Sequence, residues 1–437
     1  MPEKLTLMRG MHDVLPEETP AWRWLEGVLR GVAERFSYEE IRFPTLEYTE
    51  LFQRGVGGST DVVQKEMYTF TDRDGSSVTL RPEGTASVVR AFVEHALHAG
   101  PLPLKVYYIA PNFRHEKPQA GRLREHHQFG VECFGPSAPA ADAEVVALAH
   151  TFLTALGLKD IVLHVNSIGC PACRPAYHTA LRAYFEARAD TLCPTCRERL
   201  SRNPLRILDC KNPDCRALAG NAPVITDHLC PDCRAHHQGL ADHLAAMDIP
   251  FVPDPMLVRG LDYYTRTVFE FTTDCIGAQS TLCGGGRYDG LVSTLGGPPT
   301  PAMGFGSGLE RLLLALEAQG VKPERPTPCQ LYIAAMGEAA ARLTTALTAA
   351  LRGSGVKAER DLMGRSLKAQ MKQANRLGAA YVLVLGADEL AAGRGVLKRM
   401  DGGGADLPCE LSLRGLLTAL DLIVGQADGH DLKEELQ

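Results

Sequence analysis

Cysteine placement constrains this chain more than any other feature. Eight of its thirteen cysteines (Cys170, Cys173, Cys193, Cys196, Cys210, Cys215, Cys230 and Cys233) fall in one stretch as close pairs. The spacings are C-x2-C, C-x2-C, C-x4-C and C-x2-C. Around them the composition turns to Cys, Arg, Pro and Asp, so residues 169–248 read as a small domain inserted into a larger one. The N-terminal stretch MPEKLTLMRGMHD has no apolar core of secretory-signal length, and the expected compartment is the cytoplasm. There, paired cysteines read as metal ligands before disulfides. Four pairs suit one or two tetrahedral zinc sites, each joining two pairs, with His178, His228, His236 and His237 as spare ligands. Few large apolar residues separate the cysteines, so a metal would help the insertion to fold. Reduced, buried thiols are the plain alternative.

The flanking sequence reads differently. Trp22, Leu25, Val28, Leu29, Val32 and Phe36 recur at helical spacing, and the helix ends near Ser37. Residues 105–110 and 128–134 read as strands around a polar loop, 112–127, which gives a long antiparallel hairpin. Strand signals return at 255–258 and 267–272, followed by a glycine-rich turn at 284–290 and a helix at 309–316. Residues 1–168 and 249–320 are therefore expected to form one α+β domain, a mostly antiparallel sheet flanked by helices. Residues 321–329 carry three prolines and read as a linker. Beyond it, strands at 331–336 and 381–385 and helices at 338–353 and 366–377 predict a small α/β domain, 330–437, with a mostly parallel sheet. No apolar run approaches the roughly 18 residues of a membrane helix.

The chain has no Gly-Lys pair, hence no P-loop, and Gly304-Phe-Gly306-Ser-Gly308-Leu309 misses the dinucleotide fingerprint by one position. An ATP site built from arginines on an antiparallel sheet needs neither. Arg114, Arg122 and Arg311 supply such groups, and the glycines before Arg311 permit close approach. A net charge of −6 argues against a nucleic-acid coat and leaves room for a local basic face.

Arg42-Phe-Pro44-Thr-Leu-Glu47, residues 114–132 and residues 304–311 look like motifs 1, 2 and 3 of class II aminoacyl-tRNA synthetases. Leu80-Arg-Pro-Glu-Gly-Thr85, Leu257-Val-Arg-Gly-Leu-Asp-Tyr-Tyr264 and Gly284-Gly-Gly-Arg-Tyr-Asp-Gly-Leu291 are characteristic of the histidine enzymes. The chain resembles the bacterial histidyl-tRNA synthetases over nearly its whole length.

The resemblance implies ATP-dependent ligation of L-histidine to tRNA(His) through a histidyl-adenylate, with Mg2+ accompanying ATP. It also implies a homodimer formed through Pro44 and its neighbours. Arg114 and Arg259 match positions that stabilise the reacting phosphate and carboxylate. Glu116, Arg122, His126 and Arg311 match the ATP site, with Arg311 at the γ-phosphate. Glu83, Thr85 and Gln128 match positions around the amino group and carboxylate of histidine. Glu132 and Tyr264 match those that read the ring, with Tyr263 adjacent. Glu132 also sits in an apolar alternation, 131–134, and so reads as a buried, partnered carboxylate. His126 stands where the family usually has a phenylalanine that stacks on adenine.

Gln119 and Arg122 are candidates for the tRNA acceptor end. The 330–437 segment resembles an anticodon-binding domain, whose expected basic face comprises Arg352, Arg360, Arg365, Lys368, Lys372 and Arg376, with Lys357 beside them. Two other classes compete. A regulatory subunit of ATP phosphoribosyltransferase would lack the C-terminal domain and carry a degraded histidine segment. A zinc-ribbon nucleic-acid binder would leave the Glu83, Gln128 and Glu132 pocket without a purpose.

Overall fold

The computed structural model describes residues 4–58, 60–277, 280–323, 329–403 and 405–427. The chain divides into two compact units, Met1–Pro323 and Glu324–Gln437. The linker expected at 321–329 falls for the most part outside the described residues. No helix among the described residues is long and apolar enough to cross a membrane.

The first unit is built on an eight-stranded sheet. Its hydrogen-bonded order is β1 (Glu39–Glu40), β5 (Leu104–Phe113), β6 (Glu125–Phe134), β11 (Ala302–Gly308), β10 (Thr281–Arg287), β9 (Thr265–Thr272), β7 (Val162–Ser167) and β8 (Val252–Pro253). From β5 across to β7 every pairing is antiparallel, and the two outer pairs, β1–β5 and β7–β8, are parallel. A three-stranded sheet of β2 (Leu46–Tyr48), β4 (Ser77–Leu80) and β3 (Tyr68–Thr71) stands apart.

Period-two alternation decides which face of the large sheet is which. Phe129, Val131 and Cys133 of β6 enter a core with Phe152, Phe269 and Phe305. Leu25, Leu29 and Val32 from helix Thr19–Arg35 close that core, and the helix gives way to Ser37 in the left-handed region, φ +59°. Gln128, Gly130 and Glu132 are left for the opposite face.

Three expectations for the first unit need correction. The glycine-rich run at 284–290 is mostly strand, because β10 is paired on both sides and its glycines bare one face of the sheet. Residues 255–258 are not a strand. Asp254 accepts from the Met256 amide at 3.0 Å and turns the chain just after β8. The insertion is not poor in apolar residues: Tyr177, Leu181 and Phe185 share one stripe of helix Arg174–Glu186 and pack with Leu200, Ile207 and Ile225 in a core of their own. The whole stripe lies in the single interval between Cys173 and Cys193, and its helical spacing is what a bare count of apolar residues overlooks.

The second unit carries a five-stranded sheet ordered β13 (Ala358–Arg360), β12 (Cys329–Ala335), β14 (Ala379–Leu385), β15 (Arg394–Arg399) and β16 (Leu407–Glu410). It is mixed rather than mostly parallel. The pairings β12–β13 and β12–β14 are parallel, while β14–β15 and β15–β16 are antiparallel, since β15 and β16 form a hairpin.

Candidate active site

Glycine makes room for the site. Cross-strand register sets Gly304 opposite both Glu132 and Gly286, and Gly306 opposite Gly130 and Gly284. Side chains at Gly304 and Gly284 would fill the space in front of the sheet: a Cβ on Gly304 would overlap the Glu132 carboxylate, and one on Gly284 would lie 2.7 Å from Arg259 Nη1. Over this bare floor opens a cavity of ≈ 280 Å³.

One wall comes from the strands and the turn before helix Thr85–Glu94. Arg81 is buried and donates from Nη1 to the Phe43 and Pro44 carbonyls (2.9 and 2.7 Å) and from Nε to the Pro111 carbonyl (2.8 Å). That clamp fixes the turn that carries Glu83. Glu83 accepts from the Thr85 and Ala86 amides at 2.9 and 2.8 Å, satisfying donors at the helix start. Burial pushes its carboxyl up, against the Ala86 amide and the Arg114 charge. Glu132 is wholly buried and accepts from Thr85 Oγ1 at 2.7 Å and from the Tyr288 hydroxyl. Burial raises its pKa to about 8, so it carries a proton at neutral pH. Gln128 Oε1 accepts from Asn112 Nδ2 at 2.6 Å.

The far end is cationic. Arg114 donates from Nε to the Pro82 carbonyl at 2.8 Å. Arg122 pairs with buried Glu116. Arg311, in the first turn of helix Leu309–Ala318, reaches the Gly121 and Thr281 carbonyls, both at 3.1 Å. Strand alternation turns His126 into the cavity and His127 away from it, where the His127 amide and Nδ1 meet Glu310 at 2.8 and 3.0 Å. Burial, then Arg114 and Arg311, hold the His126 pKa well below the usual range, so the ring is neutral. The remaining wall is the loop 257–264, with Arg259, Tyr263 and Tyr264; Arg259 is paired with Glu270, which also accepts from Thr281 Oγ1 at 3.1 Å.

Thus Glu83, Thr85, Arg114, Glu116, Arg122, His126, Gln128, Arg259, Tyr263, Tyr264 and Arg311 line one cavity, and Glu132, on the same face of the sheet, lies buried beside it and bonded to the lining residue Thr85. Gln119 does not join them: it is exposed at the loop tip, while Arg122, its bridge partner, turns inward. Tyr108, Glu270 and Tyr288 were missed from sequence. All three stood inside segments already singled out, and strand alternation was the signal for Tyr108 and Glu270. Also missed was a fully buried Arg287, which binds Asp142 of helix Pro139–Ala155, Asp289 (3.0 Å) and the Pro136 carbonyl (3.0 Å). His236 completes this cluster at 2.7 Å from Asp142, which removes it from the spare metal ligands.

The eight insertion cysteines form two sets of four: Cys170, Cys173, Cys230, Cys233 and Cys193, Cys196, Cys210, Cys215. In the second unit some of the basic residues are paired and others exposed. Arg352 pairs with Glu359 and Arg365 with Asp361, Arg360 reaches the Asp361 carbonyl at 3.4 Å, and Lys368, Lys372 and Arg376 form an exposed stripe on helix Leu367–Arg376.

An antiparallel sheet that presents arginines over a glycine-bared floor, with no P-loop, is the architecture of the class II aminoacyl-tRNA synthetases. A family model described as Histidyl-tRNA synthetase matches residues 10–191 and 195–312, and one described as Anticodon binding domain matches 330–419. A histidine–tRNA ligase of Moorella thermoacetica is 54% identical over 91% of this chain and 94% of its own length. The apo histidyl-tRNA synthetase of S. aureus superposes with TM-score 0.81 at 38% identity, covering 95% of this chain and all of that one. A Bacillus halodurans C chain titled ATP phosphoribosyltransferase regulatory subunit/histidyl-tRNA synthetase shares the fold alone, with TM-score 0.62 at 22% identity, covering 85% of this chain and 97% of that one. The chain belongs to the histidyl-tRNA synthetase family.

Proposed function

We infer that this chain joins L-histidine to its tRNA, driven by ATP, in two steps at the cavity described. A histidine carboxylate oxygen attacks the α-phosphorus of ATP. The bond from that phosphorus to the bridging oxygen breaks, giving histidyl-adenylate and pyrophosphate. A terminal ribose hydroxyl of tRNA then attacks the acyl carbon, and AMP leaves.

Two anions meet in the first step, so fixed positive charge must flank the point of reaction. Arg114 and Arg259, on opposite walls, take that role. Arg311 and Arg122, the latter braced by Glu116, hold the phosphates of ATP, which enters with its own Mg2+. His126, neutral, offers its ring face to adenine. Glu83 faces the α-ammonium, with Thr85 and Gln128 beside it. The protonated Glu132 and Tyr264 supply both hydrogen-bond polarities that an imidazole needs. The observation that carries this reading is the convergence of these residues, drawn from five separate segments, on one cavity, with Glu132 buried beside it.

The exposed Lys368, Lys372 and Arg376 stripe supports a tRNA-binding role for the second unit, and exposed Gln119 remains the candidate for the acceptor end. Exposed Leu46, Tyr48 and Phe70 on the small sheet support a homodimer. Thirteen free cysteines suit the reducing cytoplasm. Zinc in the insertion is part of the same reading.

ATP–pyrophosphate exchange tests the function. The expected result is exchange that depends on histidine and on no other amino acid. Its absence in folded, full-length protein would refute the reading.

A further inference from the structure

The insertion reaches the active site. Each C-x2-C pair and the C-x4-C pair is followed by arginine: Arg174, Arg197, Arg216 and Arg234. Arg197 and Arg234 fold back onto carbonyls inside the insertion, those of Leu192 (3.0 Å) and Leu229 (3.4 Å). Arg174 instead leaves the insertion and donates to the backbone carbonyl of Tyr264. At the other end of the same loop, Arg206 Nη1 donates to the backbone carbonyl of Arg259 at 2.9 Å. Between them, Asn203 Nδ2 donates to Asp262 Oδ1 at 3.2 Å. The loop 257–264 is therefore gripped at both ends from the insertion.

Both grips sit beside cysteine clusters. Arg174 directly follows Cys173. Arg206 and Asn203 lie in the segment 197–209, which Cys193 and Cys196 bracket on one side and Cys210 and Cys215 on the other. Arg199 braces that segment, donating to the Arg206 carbonyl at 3.1 Å and to Asp61 of the main body at 3.0 Å. Val258 also packs against the insertion's core, while Asn166 Nδ2 donates to the Leu257 carbonyl at 2.9 Å from the main body. A cavity of ≈ 270 Å³ separates the insertion from the loop, with Arg174, Asn203 and Arg206 on one side and Arg259, Asp262 and Tyr264 on the other. Leu257 and Tyr264 anchor the loop in the main core, and across the void the polar contacts of Arg174, Asn203 and Arg206 aim what lies between them.

The clusters have the geometry of a metal site. Zinc–thiolate bonds of ~2.3 Å in a tetrahedron set sulfur–sulfur edges of about 3.8 Å. The observed edges are 3.6 Å for Cys170–Cys173, 3.9 Å for Cys170–Cys230 and 3.9 Å for Cys193–Cys210. A disulfide needs ~2.05 Å, and all eight thiols are free. Backbone amides of Cys230 and Cys193 point at Cys173 Sγ (3.1 Å) and Cys215 Sγ (3.2 Å), as outer hydrogen bonds to thiolates do.

We propose that the two cysteine clusters are zinc sites, and that the zinc-held segments use Arg174 and Arg206 to position the loop that carries Arg259 and Tyr264. Each site binds Zn2+ through four thiolates with loss of the thiol protons, and with four protein ligands it leaves no open position for chemistry. The arginines are positioning residues and touch no substrate. The positioning half rests on the reading of Arg259 as a catalytic residue.

The test uses full-length protein purified without chelator. Elemental analysis is expected to find about two zinc ions per chain. Less than about 0.2, or eight thiols that titrate freely in the native protein, overturns the sites. Arg206→Ala and Arg174→Ala should keep their zinc, yet lose about tenfold or more in histidine-dependent exchange kcat, with amide hydrogen exchange faster across 257–264. Arg206→Lys should recover part of the loss, because an ammonium can donate to the same carbonyl. Exchange within about twofold of wild type in both alanine variants overturns the positioning role. Cys196→Ser should lose one zinc and loosen 257–264; if it fails to fold, the arginine variants still decide. A wild-type protein that holds zinc but shows no histidine-dependent exchange refutes the assigned function and leaves the metal sites standing.

Discussion

The two walls of the cavity are held by different physics. The strand wall, with Gln128 and Glu132 on β6 and Gly304 and Gly306 on β11, is fixed by ladder hydrogen bonds and by buried polar pairs to Thr85, Asn112 and Tyr288. The loop wall, 257–264, belongs to no ladder; Leu257 and Tyr264 anchor it in the core, and side chains that arrive from elsewhere, Asn166, Glu270, Arg174, Asn203 and Arg206, hold it. Recognition of a rigid imidazole suits the first kind of wall, where a displaced donor cannot follow the wrong substrate. Transition-state stabilisation suits the second, where one guanidinium must be aimed and can be adjusted from outside the cavity.

That contrast can be broken from the strand side first. Arg287→Ala would leave the buried Asp142 without its guanidinium partner, and should cost about 3–5 kcal/mol in urea denaturation. A cost under about 1 kcal/mol would mean that the cluster does not anchor β10. Next, Gly304→Ala would drive a methyl into Glu132. Histidine binding by calorimetry should weaken about 100-fold while ATP binding changes little, because the arginine end lies along the cavity away from Glu132. Equal weakening of both ligands would mean that the floor acts as one unit.

The third effect is a pH dependence. Burial raises the Glu132 carboxyl from its ordinary 4.5 to about 8, so between those values the folded chain holds a proton that the unfolded chain has released. Stability is then fullest below the ordinary value and falls as pH rises through about 8. Glu132→Gln should flatten that slope in denaturation series from about pH 5 to 9, and an unchanged slope would show that Glu132 is already ionised. The smallest effect sits at the adenine end. His126→Phe gives a larger stacking face and should lower the KM for ATP by about 1 kcal/mol. A large loss of activity in a folded variant would show that the imidazole makes a polar contact instead.

Most of the strand wall was legible in sequence because alternation carries direction: Glu132 within 131–134 announced a buried carboxylate before any neighbour was known. The hairpin and the helix ahead of Ser37 were legible for the same reason. The run 284–290 was misread as a turn, since glycine has low strand propensity and only the paired neighbours β9 and β11 override it. The grouping of cysteines was not readable, because four pairs admit several pairings and the fold alone brings 170 and 173 to 230 and 233. The reach of Arg174 and Arg206 to the loop was likewise hidden, since nothing local to either residue names Tyr264 or Arg259 as its partner.

The division between a recognising wall and a reacting wall is tested most directly by Arg259→Ala, with adenylate formation in a single turnover and histidine binding measured on the same protein. The account predicts a rate lower by about 10²–10³-fold with histidine affinity within about threefold of wild type. A rate within about twofold, or a loss that lies wholly in histidine affinity, would contradict it.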